Sequence, residues 1–80
     1  MMSRTLLKTD SFAIDGRTLP VRYFELHTLR GATRYSAEIV IGPGDRIILD
    51  DDSLTRLEAR TTRLAPATLL SRLLARRSAA

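Results

Sequence analysis

The sequence predicts a small α+β domain: an antiparallel β-meander of three to five strands, one face of it covered by one or two C-terminal helices. Three observations predict it. Up to about residue 50, short runs of β-branched and aromatic residues are separated by glycine-containing turns. From about residue 53 to 76 the chain becomes rich in Leu, Ala and Arg, with leucines at helical spacing. The total of 80 residues holds one small domain with no repeat or linker, for which an expected radius of gyration is ~12 Å. Strands are therefore expected over residues 4–50 and helices over 53–76. A sheet this small needs such a cover, because it cannot bury its apolar face alone.

Thr5 to Thr9 reads as an edge strand or a loose arm. Phe12 to Leu19 reads as a tight hairpin with Asp15-Gly16 as its two-residue turn. Pro20 cannot donate to a ladder, so a bend or bulge is expected there. Val21 to Leu29 is the next strand, then Arg34 to Ile41 and Arg46 to Asp50. A two-residue loop at Arg30-Gly31 sets Phe24 opposite Ala37 and Leu26 opposite Tyr35. A three-residue loop, Pro43-Gly44-Asp45, with a bulge sets Ile41 opposite Ile47 and Ile39 opposite Leu49. These registers gather Phe24, Leu26, Ala37, Ile39, Ile41, Ile47 and Leu49 on the covered face, and a one-residue slip would invert a whole strand.

In the tail, Asp52 or Ser53 is placed to cap the first helical turn. Leu54, Leu57, Thr61 and Leu64 share an arc of about 80°, the expected sheet-facing side. Pro66 suits the first position of a second helix better than the interior of one. Leu69, Leu70, Leu73 and Leu74 span roughly 140° of that second segment, wide enough to cover the sheet or to meet a partner.

Composition excludes several classes. There is no Cys, so disulfides, thiolate catalysis and Cys-ligated zinc are out. No apolar run is long enough to span a membrane. The opening residues lack the features of a secretory signal, so the expected location is cytoplasmic. The net charge is +4, and twelve of the thirteen basic residues are Arg. Arg suits bidentate recognition of phosphate or carboxylate, and it is also what a GC-rich genome writes wherever a positive charge is needed.

Few residues invite chemistry. The outer sheet face is expected to carry Tyr23, Glu25, His27, Arg34, Ser36, Glu38, Val40 and Ile48. His27 is expected opposite Arg34, and Glu38 opposite Tyr23. Glu25, His27 and Glu38 there resemble an acid–base or metal arrangement, but alternating charges stabilised across strands explain them as well. Asp50, Asp51 and Asp52 lack the loop spacing of a calcium site, and a strand end followed by a helix start accounts for them. Gly42-Pro43-Gly44-Asp45 is a hairpin turn rather than a phosphate loop, since no Lys-Ser/Thr follows it. Neither catalytic residues, nor a metal site, nor a cofactor is therefore assigned.

Two readings of function remain. The first is a non-enzymatic protein acting through contact with another protein or with its own copy, through Leu69, Leu70, Leu73 and Leu74 and a free sheet edge. The alternative is a basic nucleic-acid-binding accessory protein, using an Arg56, Arg60, Arg63 stripe extended by Arg72 and Arg76. No membrane partner is expected.

Overall fold

The computed structural model describes residues 3–14 and 16–79, with the backbone alone for residues 73 and 76–79. Four strands, β1 (Ser3–Ile14), β2 (Arg17–His27), β3 (Thr33–Gly42) and β4 (Asp45–Asp51), form an antiparallel sheet in the order β1-β2-β3-β4. One helix, α1 (Leu54–Ala79), follows and packs on one face. The fold class is the predicted one, and several local details differ.

The arm at Thr5 to Thr9 is part of a single strand that pairs with β2 from Ser3 to Ile14 and slips once, between Leu6 and Lys8. Gly16 takes a φ of 73°, a conformation that L side chains rarely adopt and that a tight hairpin demands. Its expected turn partner, Asp15, lies outside the described residues. Pro20 sits in register opposite Ser11, without the expected bulge. The β2–β3 ladder ends one residue away, at Val21 opposite Ile39, so the ring needs no donor on that side.

The turn after β2 overturns the expected register. Thr28 donates to the Ala32 carbonyl at 2.9 Å and accepts from Gly31 N–H at 3.0 Å, closing a loop of three residues, Leu29 to Gly31. Gly31 occupies the left-handed region at φ 79°, which adds the third residue. Phe24 therefore faces Ser36 and Leu26 faces Arg34, one step from the expected pairs. That step inverts β2. Leu19, Val21 and Tyr23 point to the helix, while Phe24 and Leu26 turn to the other face.

The β3–β4 turn errs in a harmless direction. Its loop is the two residues Pro43-Gly44, closed by Gly42 opposite Asp45, and the bulge falls between Val40 and Gly42. Ile39 pairs with Ile47 and Ala37 with Leu49, two steps from the expected pairs, so both strands keep their faces.

The core joins Leu19, Val21, Tyr23, Ala37 and Ile39 from the sheet to Leu57, Ala65 and Leu69 from the helix. Thr61 is buried with them and bonds its hydroxyl back to the Leu57 carbonyl at 2.8 Å. The helical stripe thus runs Leu57, Thr61, Ala65, Leu69 at steps of four, and Leu64, expected in it, is exposed. The helix does not divide at Pro66: the ring lies on its solvent side, where losing one backbone bond is cheapest. Ser53 caps it, accepting from Arg56 N–H at 3.3 Å. The long hairpin and a helix of about 39 Å draw the molecule out to 47 Å, with a radius of gyration of 14.1 Å, above the sequence expectation.

Candidate interaction surface

The leucines singled out from the sequence divide. Leu69 is core at 1% exposure, whereas Leu70 and Leu74 are 56% and 52% exposed. The side chain of Leu73 is outside the described residues. Leu69, Leu70 and Leu74 do not form one apolar face.

The arginine stripe is largely engaged within the molecule. Arg56 reaches Asp51 at 3.3 Å and Asp52 at 3.2 Å, and Arg60 reaches Asp51 at 3.0 Å. Arg60 also donates to the Asp50 carbonyl at 2.9 Å, at the end of β4. Arg72 meets Asp45 at 3.3 Å, beside the β3–β4 turn. Arg63 alone of the described stripe residues has no ion-pair partner among the described residues, and the Arg76 side chain lies outside them. Within the Asp50-Asp51-Asp52 run, Asp51 and Asp52 hold Arg56 and Asp51 holds Arg60.

Asp51 is the centre of this corner. Burial by itself would raise its pKa. Hydrogen bonds from Arg60 and the Ser53 backbone N–H, with the charge of Arg56, outweigh that and hold it at about 2. Across the molecule, Lys8 pairs with Glu58 at 2.6 Å and ties β1 to the helix. That hydrogen bond raises the Lys8 pKa. Burial raises that of Tyr23.

Glu25, His27 and Glu38 are not brought together. His27 pairs with Thr33 and holds Glu25 at 2.6 Å, while Glu38 pairs with Arg22 on the opposite face of the sheet. Sequence reasoning placed all three on one face because it had β2 inverted. Among the described residues no group of three or more potential ligands is placed to hold a metal ion.

The surface that the sequence did not reveal is the face of the sheet away from α1. Phe24 lies in it at only 8% exposure, because the Arg4 guanidinium sits 3.6 Å above its ring. Glu38 is 5% exposed beneath Arg4 and Arg46, whose nitrogens stand 3.5 and 3.4 Å from its carboxylate. Arg stems laid along the sheet thus roof what no helix covers. At one end a depression of about 570 Å³ is lined by Arg22, Glu38, Val40, Asp45, Arg46 and the Gly42-Pro43-Gly44 turn. Its charges balance, two arginines against two carboxylates. Leu6 and Ile48 remain 52% and 60% exposed on this face.

The two strands that border the sheet each offer one unpaired side. On β4 the open side runs past Arg46-Ile47-Ile48-Leu49-Asp50, where Ile48 points to the open face and Ile47 and Leu49, half-buried, to the helix face. Compared with protein families, curated proteins and solved structures, the chain matches none.

Proposed function

We propose that this is a non-enzymatic protein of the cytoplasm that acts through contact, with another protein or with its own copy. Its contact surface is the open sheet face and the β4 edge, in place of the helix leucines. The carrying observation is that, among the described residues, no helix or strand covers one face of the four-stranded sheet, and Leu6 and Ile48 are exposed there. Large apolar side chains left on a sheet face beside a free edge favour association with protein. The nucleic-acid alternative has less to stand on, because Arg56, Arg60 and Arg72 already satisfy carboxylates of the chain. Phe24, the aromatic ring on the open face, is covered by Arg4 and offers no stacking platform for bases.

The test compares Leu6→Lys and Ile48→Lys with Leu70→Lys, by light scattering across concentration and by cross-linking to co-purified protein. The reading expects Ile48→Lys to abolish association, Leu6→Lys to weaken only the binding of a protein laid across the open face, and Leu70→Lys to leave both intact. Association that fails only with Leu70→Lys overturns the choice of surface. Binding to duplex or single-stranded nucleic acid that weakens steeply with salt, with no protein bound, supports the alternative instead.

A further inference from the structure

We propose that β4 is a self-complementary edge whose occupant is the β4 of a second copy of this chain, joining two sheets into one of eight strands; this rests on the contact reading above. The argument begins with order along the strand. Antiparallel pairing about a twofold axis at Ile48 sets Ile48 against itself, Ile47 against the second copy's Leu49, and Arg46 against the second copy's Asp50. Each contact then occurs twice or lies on the axis. Arg46, Ile48 and Asp50 share one face and Ile47 and Leu49 the other, so both faces are complementary in that single register.

The charges involved are accessible. The Arg46 side chain is 63% exposed, with Glu38 as its partner at 3.4 Å, and that of Asp50 is 60% exposed, with Arg34 at 3.0 Å. A slip of one residue either way would set Arg46 or Asp50 against an apolar residue, and so the charges fix the register. The opposite edge does not offer the same fit. β1 breaks its register between Leu6 and Lys8 and carries Arg4, Lys8 and Asp10 along its length. A bulge and an edge lysine are devices by which sheets discourage strand addition. The β4 side has neither: its hairpin bulge falls on β3, between Val40 and Gly42.

A ladder this short buries less than the ~1,200 Å² of a standard interface, so the association is concentration-dependent. Sedimentation of the full chain from about 10 µM to 1 mM is expected to show a monomer–dimer equilibrium. Arg46→Asp and Asp50→Arg, each alone, place like charges opposite one another in both halves of the dimer, and each is expected to be monomeric over that range. Mixed together they restore opposite charges at both positions, and a heterodimer is expected. Its appearance cannot come from misfolding of either variant. A wild type that stays monomeric overturns the proposal, as does a dimer that either single variant leaves unchanged or a mixture that fails to associate. A monomeric wild type that binds a different protein, with the binding abolished by Ile48→Lys, overturns the pairing and leaves the contact reading standing. A monomer that binds no protein overturns both.

Discussion

β1, at one border of the sheet, spreads Arg4, Lys8 and Asp10 along twelve residues and loses register beside Lys8, whereas β4, at the other, sets Ile47, Ile48 and Leu49 in a row of three within seven. The two also differ in how they are fastened. β1 is linked to the helix by the half-exposed Lys8–Glu58 pair, a kind of contact that contributes little when solvated. The end of β4 is fixed by Asp51, which is 6% exposed and held by Arg56 and Arg60. The border that is better protected against pairing is thus tied to the helix by a solvated ion pair, and the border with apolar residues by a buried carboxylate. Rigidity at an unpaired strand lowers the entropy cost of adding another strand to it.

The largest effect is expected where both borders lose their shared support. Leu57 is fully buried between helix and sheet, and Leu57→Ala is expected to cost about 2–5 kcal/mol. A domain of this size rarely has more than ~3–5 kcal/mol in all, so most molecules should be unfolded at 25 °C. Urea denaturation followed by circular dichroism checks this, and a midpoint near that of the wild type would show that the helix does not hold the sheet.

Acid should act on the β4 side first. The folded-state value of Asp51, about 2, lies below its ordinary 3.8, so the stability it supplies is complete above about pH 4 and is lost as pH falls through 2. Asp51→Asn is expected to lower the urea midpoint near neutrality and to flatten its decline between those limits. Equal pH profiles for the two proteins would contradict the role given to this corner.

Base should act where Lys8 and Tyr23 meet, Lys8 lying 5.1 Å from the ring. Both groups have raised values, so the stability each supplies is intact below its ordinary pKa and is lost as pH rises through the higher folded one. Phenolate absorbance is expected to show one tyrosine ionising late and together with unfolding. Two tyrosines titrating as free side chains would place Tyr23 outside the core.

The smallest effect belongs to β1. Lys8→Ala is expected to leave the urea midpoint nearly unchanged, while Lys8→Val should add aggregation detectable by light scattering. A Lys8→Val protein that stays as soluble as the wild type would remove the protective role assigned to that lysine.

The fold class was legible because strand-forming runs, glycine turns and a helical tail all point to one architecture. The register of β2 was not, because Arg30-Gly31 serves equally as a two-residue turn or as the end of a three-residue loop. A signal was present: Leu19, Val21 and Tyr23 alternate as an apolar set, and weighing them against Phe24 and Leu26 would have exposed the inversion. Phe24 misled because it is buried, though by Arg4 from the opposite face rather than by the helix. Pro66 misled because its ring lies on the solvent side, where a helix tolerates it. The arginine stripe looked free because Asp51 and Asp52, close behind Arg56 and Arg60, were read only as a strand end and a helix start, and because Asp45, the partner of Arg72, lies far back in the chain, a separation that the return of α1 along β4 closes. Of the contact surface, the opposed charges at equal distances from Ile48 were readable, but their meaning depended on β4 being a border.

The most direct measurement of that border uses the absence of cysteine from the chain. In the proposed pairing the two copies of residue 48 lie about 4.5–5.5 Å apart at Cα, within reach of a disulfide. Ile48→Cys under mild oxidation should become a disulfide-linked dimer that keeps the wild-type circular dichroism, while Leu6→Cys, on the same face but in β1 at the opposite border, should remain largely monomeric. Equal cross-linking of the two, or none at residue 48, would contradict the account.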